Sequence, residues 1–420
     1  MVEQRMCKLW VSPVPLTAVG RTPVHEKVAL SVAWPLALFV IVHRLVALAW
    51  PGSLTDDFTT VWSAARRFVE RVPVYNETYH YVDPHYLYNP GATLLLSPFG
   101  FLGDVSIARV IFVGLNAIAI VLALAWLTRA SGFSLRHPVF PLVLALAFLS
   151  ESVTNTLVFS NINGVLLLAL VAFLRLLVTN RGFAAGVVAG LAIVVKPMFA
   201  PLLVLPAMRL QWKVLLGGIG VPLALNIGAW PLTPGVGDFR ERLLPYLAQT
   251  RDYANSSLPG FAVYFGMPAW LSICVFAALA AFVVVAVVVL GRFRYTDPWV
   301  WACLSSGVFM AGVCLLSSLG QAYYSMMLFP AVFTVLGTRS PFHQGLPWVG
   351  ILLCLAPLKW VSTRLPVVGA WADTFLPTAG WALLIITIAA WALAMAIHAG
   401  RVPAKSANTT ETIVSKETDL

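Results

Sequence analysis

Residues 29–57, ALSVAWPLALFVIVHRLVALAWPGSLTDD, place two adjacent carboxylates directly after a long apolar segment. The run from Ala29 to Trp50 can cross a membrane, because a helix needs about 20 mostly apolar residues to span the hydrocarbon layer. It is too long for a cleaved signal and is expected to remain as the first helix. Charged groups at a membrane boundary are costly to desolvate, so Asp56 and Asp57 are candidates for chemistry at the interface between water and lipid.

The composition is typical of a polytopic membrane protein. Hydrophobic residues make up 60% of the 420 residues, and charged residues make up only 10%. A soluble domain has about 45–50% apolar residues and about 25% charged residues. The five cysteines show no metal-ligand spacing, and four of them lie in apolar segments as packing residues. The net charge of +10 is spread between apolar runs, which favours membrane topology over nucleic-acid binding.

Twelve apolar segments predict an all-α bundle of about 10–12 transmembrane helices. Residues 29–399 form one membrane domain, between a cytoplasmic tail at 1–28 and a disordered cytoplasmic tail at 400–420. Lys196-Pro197 interrupts one region, so 183–195 and 197–207 are expected to be half-length or tilted. The segments are 29–50, 105–128, 138–150, 164–178, 183–195, 197–207, 214–231, 262–290, 297–316, 324–338, 345–360 and 375–399.

The charge distribution predicts the orientation, because cytoplasmic loops are enriched in Lys and Arg. With a cytoplasmic N-terminus, 16 of the 27 Lys and Arg residues fall inside, 11 of the 17 acids fall outside, and Arg44 and Arg109 stay within helices. The polar loops then share the extracytoplasmic face, where ATP and nucleotide sugars are not available. An enzyme there needs an activated substrate carried in the lipid. These loops are 51–91, 151–163, 232–260, 317–323 and 361–374.

The loop 51–91 is the longest and the richest in chemical groups. Residues 58–71 have one apolar helical face and are expected to form an interfacial helix. His85 and Tyr88 follow it, although a tyrosine at this depth is also a common interface anchor.

Further polar groups lie in the other loops and at a helix break. Asn155, Asn161 and Asn163 fall in 151–163, where capping of helix ends is the expected role for two of the three. Lys196 is flanked by apolar residues, so it needs an anionic partner or a wet cavity. Additional candidates are Arg251 and Asp252, which are either a structural ion pair or part of a site, and Tyr323 and Tyr324.

Together these groups suit the transfer of a sugar from a lipid phosphate. Such a transfer needs a carboxylate that deprotonates the acceptor hydroxyl and cations that stabilise the departing phosphate. Asp56 or Asp57 would be the base, Lys196 and Arg251 would hold the phosphate, and tyrosines would stack on sugar faces. A transporter could also use intramembrane Asp and Lys for proton coupling, but no internal repeat of the kind found in many transporters is evident.

Five motifs resemble the GT-C superfamily of polyprenyl-phosphate-sugar-dependent glycosyltransferases, which carry an acidic motif after the first helix. Within it, the sequence is similar to the mycobacterial arabinofuranosyltransferases that make α-(1→3) branches in arabinan. The resemblance covers most of the chain except the tails, and it departs from the expected pattern at Asn89, where proline is expected. The motifs are TDDF (55–58), YVDPHYLY (81–88) followed by PGATLL, TNTLVFSNING (154–164), TRDYANSS (250–257) and QAYYSMMLFP (321–330).

The resemblance implies a decaprenyl-phosphoryl-arabinofuranose donor and an arabinan acceptor of arabinogalactan or lipoarabinomannan in the plasma membrane. A β-linked donor that gives an α-linked product implies inversion, with Asp56 or Asp57 as the single base. His85, Arg251, Tyr323 and Tyr324 match motif positions and are expected to contact donor or acceptor. No metal is assigned, and a divalent cation held by Asp56, Asp57, Asp83 and His85 stays an open alternative. The alternative enzyme is a mannosyltransferase that uses polyprenyl-phosphate mannose.

Overall fold

The computed structural model describes residues 23–52, 56–79, 84–357 and 359–401. Within these ranges the chain is helical and has no strand. Most of the two predicted tails, 1–28 and 400–420, lies outside the described residues, and so do Thr55 and Asp83.

Seventeen α-helices run through the described part of the chain, and π-helical or 3-10 turns extend several of them. The first helix continues as the π-helical segment His43–Ala49. The α-helices are α1 Pro23–Val42, α2 Asp57–Val69, α3 Pro90–Leu96, α4 Val105–Ala130, α5 Val139–Leu149, α6 Glu151–Val158, α7 Asn163–Val178, α8 Gly182–Val195, α9 Val204–Met208, α10 Trp212–Ala229, α11 Leu244–Ala248, α12 Leu258–Phe265, α13 Ala269–Leu290, α14 Pro298–Leu316, α15 Phe329–Phe333, α16 Gly345–Leu355 and α17 Pro366–Arg401.

Six helices in the described residues are long and apolar enough to cross a membrane, and α5 with α6 qualifies as a seventh span that bends by 64°. The six are Val24–Ala49, Val105–Ala130, Trp212–Ala229, Ala269–Phe293, Pro298–Leu316 and Pro366–Ile397. Five shorter apolar helices are Asn163–Val178, Gly182–Val195, Pro197–Met208, Ala322–Leu336 and Gly345–Leu355. Each of the twelve predicted segments therefore corresponds to an apolar helix, and the protein is a multi-pass all-α membrane protein.

The predicted loop 361–374 is largely helical, because α17 begins at Pro366, and the predicted helix 345–360 ends at Leu355. The predicted loop 232–260 contains the short helix α11.

Two further stretches differ from the sequence prediction. The predicted helix 262–290 is interrupted because Gly266 adopts the left-handed conformation, with φ of 62°, and ends α12. The predicted loop 151–163 contains the helix α6, which begins after Ser150, whose hydroxyl accepts a hydrogen bond from the Val153 amide at 3.3 Å. Both differences arise from local capping, which hydropathy does not record.

The amphipathic helix predicted at 58–71 is present as α2. Phe58, Val61 and Ala65 on the apolar face are buried, while Arg66 pairs with Glu70 on the other face. The Phe58 ring packs on Phe112 of α4 with centroids 4.4 Å apart, so the apolar face lies against the protein, whereas an interfacial helix would require it to lie against lipid. The helix carries Asp57 as its first residue.

Helices α8 and α10 approach each other closely through glycines. A Cβ atom on Gly186 would lie 2.5 Å from the Val214 carbonyl oxygen, and one on Gly217 would lie 2.8 Å from the Gly186 carbonyl carbon. Small residues allow two helix backbones to pack at this distance within a membrane. This contact fixes α8, which ends at Val195, immediately before Lys196.

We expect Gly217→Val to destabilise the protein by about 1–3 kcal/mol, since the added side chain overlaps the α8 backbone. Gly220→Val in the same helix is the matched control, because nothing lies within 4 Å of a Cβ atom at that position. Thermal unfolding in detergent micelles measures both variants. Equal melting temperatures for the two variants would contradict the proposed packing.

Candidate active site

Asp56 is a buried anchor at the start of α2. One carboxylate oxygen accepts hydrogen bonds from the Thr59 amide and the Thr59 hydroxyl, both at 2.8 Å, so Asp56 is the N-cap of the helix. The other oxygen accepts a hydrogen bond from Arg109 Nε, and only 1% of the residue is exposed. Since both oxygens are engaged, Asp56 is not available to a substrate hydroxyl.

Arg109 joins three parts of the fold around this carboxylate. From the apolar helix α4 it also donates to the Ala49 carbonyl oxygen at 2.9 Å and to the Val158 carbonyl oxygen at 3.2 Å. Gly52 has a φ of 59°, and a Cβ atom there would lie 2.3 Å from the guanidinium carbon, so only glycine fits. No role is predicted for Arg109 from the sequence, although a lone arginine in an apolar span is itself a sign of a buried partner.

Asp57, by contrast, is a partly exposed residue. Its Oδ2 accepts a hydrogen bond from Asn161 Nδ2 at 2.6 Å and lies 3.4 Å from the Tyr323 hydroxyl. No hydrogen bond reaches Oδ1 from the described residues. Burial raises the pKa of the Asp57 carboxyl above its ordinary value, while the Asn161 hydrogen bond and the Lys196 charge oppose this rise.

Lys196 lies behind Asp57 and is almost fully buried. Its Nζ donates to Asn161 Oδ1 at 2.9 Å and to Asn163 Oδ1 at 2.8 Å, and it lies 4.5 Å from the centre of the Tyr324 ring. Asn161 therefore bridges the lysine and the carboxylate with the two ends of its amide. The capping role predicted for these asparagines is wrong, because their side-chain oxygens accept from Lys196 and no side chain caps α7.

Local backbone geometry aims Asn161 and Lys196 at each other. Ser160 adopts the left-handed conformation with φ of 50°, which turns the chain sharply after α6 and directs Asn161 towards Asp57. On the other side, Pro197 follows Lys196 and prevents α8 from continuing in α-helical form.

Asn89 connects the first loop to this helix end. Its Nδ2 donates to the Val194 carbonyl oxygen at 2.7 Å, and its Oδ1 caps α3 by accepting from the Ala92 amide at 2.9 Å. A proline at this position, expected from the family resemblance, could make neither side-chain contact.

Three tyrosines surround the carboxylate. The backbone carbonyl oxygen of Tyr323 accepts a hydrogen bond from the Ser152 hydroxyl at 2.6 Å. The Tyr323 hydroxyl donates to the side-chain oxygen of Gln321. The Tyr323 and Tyr324 rings meet edge to face with centroids 4.8 Å apart. Burial raises the pKa of Tyr88, and the nearby Asp57 charge raises it further, which places this phenol within electrostatic reach of the carboxylate.

Arg251 lies against two further tyrosines, Tyr246 and Tyr253. Its guanidinium lies 5.6 Å from the Tyr246 ring centre and 5.5 Å from the Tyr253 ring centre, and its charge also acts on Tyr324. The structure contains no ion pair between Arg251 and Asp252 among the described residues, so that interpretation is wrong. Asp252 is partly exposed on the same loop and has no hydrogen bond in the described structure.

Asn255 and His85 define the edges of the site. Asn255 Nδ2 donates to the Arg251 carbonyl oxygen at 2.9 Å and to the Ser318 carbonyl oxygen at 2.8 Å, which joins two of the predicted polar loops. His85 lies further out, with Nδ1 3.6 Å from Glu77 Oε2 and its ring beside Tyr246. The structure thus brings all the candidate residues to one end of the bundle, but only some of them surround Asp57.

The described residues contain no group of three His, Cys, Asp or Glu side chains that could hold a metal ion. Asp56 faces Arg109 and His85 lies beside Glu77, so neither joins Asp57. Asp83, the remaining candidate ligand, lies outside the described residues.

A family model described as glycosyltransferase family 87 matches residues 86–318. The chain belongs to this family, which confirms the predicted enzyme class.

Similar proteins support the narrower resemblance. The chain is 52% identical over 378 residues to an alpha-(1->3)-arabinofuranosyltransferase of Corynebacterium glutamicum, covering 89% of this chain and 90% of the relative. It is 40% identical over 370 residues to one of Mycolicibacterium smegmatis, covering 87% and 86%. It is also 40% identical over 360 residues to one of Mycobacterium tuberculosis strain H37Rv, covering 85% and 83%.

The two aspartates should differ in their effect on stability. We expect Asp56→Asn to cost about 3–5 kcal/mol, because it leaves the buried Arg109 charge without a counterion. Asp57→Asn should change stability far less, since Asp57 is partly exposed. Unfolding measurements in detergent test this, together with Arg109→Met and the Asp56→Asn/Arg109→Met double variant. If the two single effects simply add in the double variant, the ion pair does not anchor the fold.

Proposed function

We propose that this chain is an inverting α-(1→3)-arabinofuranosyltransferase. It would move arabinofuranose from decaprenyl-phosphoryl-arabinofuranose to arabinan acceptors of arabinogalactan or lipoarabinomannan. The carrying observation is the Asp57 carboxylate, of which one oxygen contacts Asn161 and Tyr323 while the other receives no hydrogen bond from the described residues. The names of the similar proteins, at 40–52% identity, support the sugar and the linkage.

In this mechanism Asp57 is the general base. Its Oδ1, to which the described residues donate no hydrogen bond, takes the proton of the acceptor hydroxyl while the hydroxyl oxygen attacks the anomeric carbon. The bond from that carbon to the phosphate oxygen breaks on the opposite face, so one displacement inverts the configuration. Asp56 instead positions its neighbour, because Thr59 and Arg109 engage both of its oxygens.

Lys196 and Arg251 would stabilise the departing lipid phosphate. Lys196 donates two of its three protons to amide oxygens and keeps one for an anionic group. Arg251 has aromatic neighbours instead of an acid, so a phosphate is a suitable partner. Positive groups aimed at developing charge lower the barrier without reorganisation during the reaction.

The remaining candidate residues would line the site that binds the donor and acceptor sugars. Tyr88, Tyr323 and Tyr324 present rings beside Asp57 and would contact the transferred sugar and its acceptor. His85 and Asp252 lie further from the carboxylate and would contact the more distant parts of donor or acceptor.

We place the enzyme in the plasma membrane, with both termini cytoplasmic and the site extracytoplasmic. This orientation follows from the excess of Lys and Arg in the loops that are predicted to be cytoplasmic. The contacts of 151–163 and 317–323 with Asp57, and of 251–257 with residue 318, agree with a common side for these segments.

A membrane assay with two synthetic donors tests the proposed function. The purified chain is offered polyprenyl-phosphate arabinofuranose and polyprenyl-phosphate mannose side by side, with an arabinofuranose oligomer as acceptor and linkage analysis of the product. We expect arabinose in an α-(1→3) linkage. Turnover of mannose alone would overturn the sugar assignment in favour of the mannosyltransferase alternative.

Asp57→Asn should lower kcat by about 100-fold or more, since general-base catalysis contributes about 10²–10⁴-fold. The amide cannot accept a proton at neutral pH, whereas it preserves the shape of the side chain. The same donor assay measures this loss on protein whose melting temperature is unchanged. Wild-type activity in this variant would contradict the role of Asp57 as the base.

Asn161→Ala should move the acidic limb of the kcat/KM profile to higher pH. The base must be ionised, so activity falls as the pH drops through its pKa, and loss of the Asn161 hydrogen bond raises that pKa further. Asn163→Ala is the control, because it removes a Lys196 contact but leaves the Asp57 hydrogen bond in place. A limb that stays at the wild-type pH in the Asn161 variant would argue against Asp57 as the titrating group.

A further inference from the structure

A second cluster of polar and aromatic side chains lies beyond Arg251, outside the group that surrounds Asp57. The rings of Tyr79, His85 and Tyr246 contact one another pairwise, with centroids 5.1, 5.4 and 5.3 Å apart. Arg67 from α2 and Glu77 complete it, and their side chains pair with each other. We call these five residues the Tyr79 cluster.

The Tyr79 cluster contains polar atoms that the folded chain leaves unused. The Tyr79 hydroxyl and Arg67 Nε are buried and have no hydrogen-bond partner among the described residues. The contacts that hold Asp57 do not involve either atom. A buried polar group without a partner is unfavourable, and a bound ligand can supply the missing partner.

The chemistry of the cluster matches one residue of a neutral sugar chain. Aromatic rings offer apolar surface to the C–H face of a sugar, while a carboxylate, a guanidinium and a phenol can bond its hydroxyl groups. Because Glu77 and Arg67 neutralise each other, the cluster is poorly suited to a second phosphate. Partial exposure of Arg67, Glu77 and Tyr79 leaves one side open to a ligand.

The cluster is also continuous with the reacting centre. Arg251 lies against the Tyr246 ring, at 5.6 Å, and its charge acts on Tyr324. Tyr324 packs edge to face on Tyr323, whose hydroxyl lies 3.4 Å from Asp57 Oδ2. Asp57 and Arg67 also lie on the same helix, α2, ten residues and therefore about 15 Å apart, a distance that a short chain of sugars can span.

We propose that the Tyr79 cluster is a second sugar subsite, which binds an arabinofuranose residue of the acceptor other than the one that attacks the donor. This inference rests on the proposed function for the identity of the sugar. It predicts that the enzyme distinguishes an oligomeric acceptor from a single arabinofuranoside, because only the oligomer reaches both places.

Binding measurements on the Asp57→Asn chain test the subsite without turnover. Calorimetric titration in detergent compares a tri-arabinofuranoside with methyl arabinofuranoside, each with and without Tyr79→Phe. This change removes a hydroxyl that has no partner in the free protein, so the fold should be unaffected. We expect about tenfold weaker binding of the trisaccharide, equivalent to about 1.4 kcal/mol, and unchanged binding of the monosaccharide.

Tyr295→Phe is the matched control, because it removes an exposed tyrosine hydroxyl outside both clusters and should leave both affinities unchanged. Unchanged trisaccharide affinity in the Tyr79 variant, or equal weakening for both ligands, would overturn the subsite. The donor assay on the wild-type chain keeps the two proposals apart. Transfer of mannose alone would overturn the arabinose assignment. Titrations with mannose oligomers would then test the subsite, again by asking whether Tyr79→Phe weakens binding of the oligomer and not of the monosaccharide.

Discussion

The ion pair between Asp56 and Arg109 is the constraint on which the site depends. It closes the junction of the first span, the amphipathic helix α2 and the end of α6, where carbonyl oxygens of Ala49 and Val158 also turn towards the guanidinium. A buried pair of this kind contributes little net stability, because desolvation offsets the attraction, but loss of one partner is costly. Its main effect is therefore to fix one arrangement of these three segments.

That arrangement gives two neighbouring aspartates opposite roles. Asp56 caps α2 and faces inward, whereas the first turn of the helix directs Asp57 towards Asn161 and Tyr323. Identical side chains can take different tasks when their burial and hydrogen bonds differ, as pairs of carboxylates in other enzymes do. In the proposed mechanism Asp57 is the base, because Thr59 and Arg109 already engage both oxygens of Asp56.

The cations of the site are held without acidic side chains in direct contact. Lys196 relies on two amide oxygens and an aromatic ring, and Arg251 on two tyrosines, so both retain positive potential for an anionic substrate. The Tyr79 cluster continues this surface outward with a neutralised Arg67–Glu77 pair. In the proposed mechanism, net positive charge therefore lies at Lys196 and Arg251, where the phosphate would leave. The Tyr79 cluster, where a neutral sugar chain would bind, carries a neutralised ion pair.

Hydropathy alone determined that this is a helical membrane protein, and each of the twelve predicted segments contains an apolar helix because a 60% apolar chain must satisfy its backbone internally in lipid. Charge distribution and residue chemistry identified the polar loops and nearly every candidate residue, and the family resemblance suggested their roles. The roles of Asp56, Arg109 and Asn161 were decided only by the tertiary structure. Asp56 and Arg109 are 53 residues apart in the sequence, and Asp57 and Asn161 are 104 residues apart. Spacing carries no information on such pairs, because the folding of distant segments creates their hydrogen bonds.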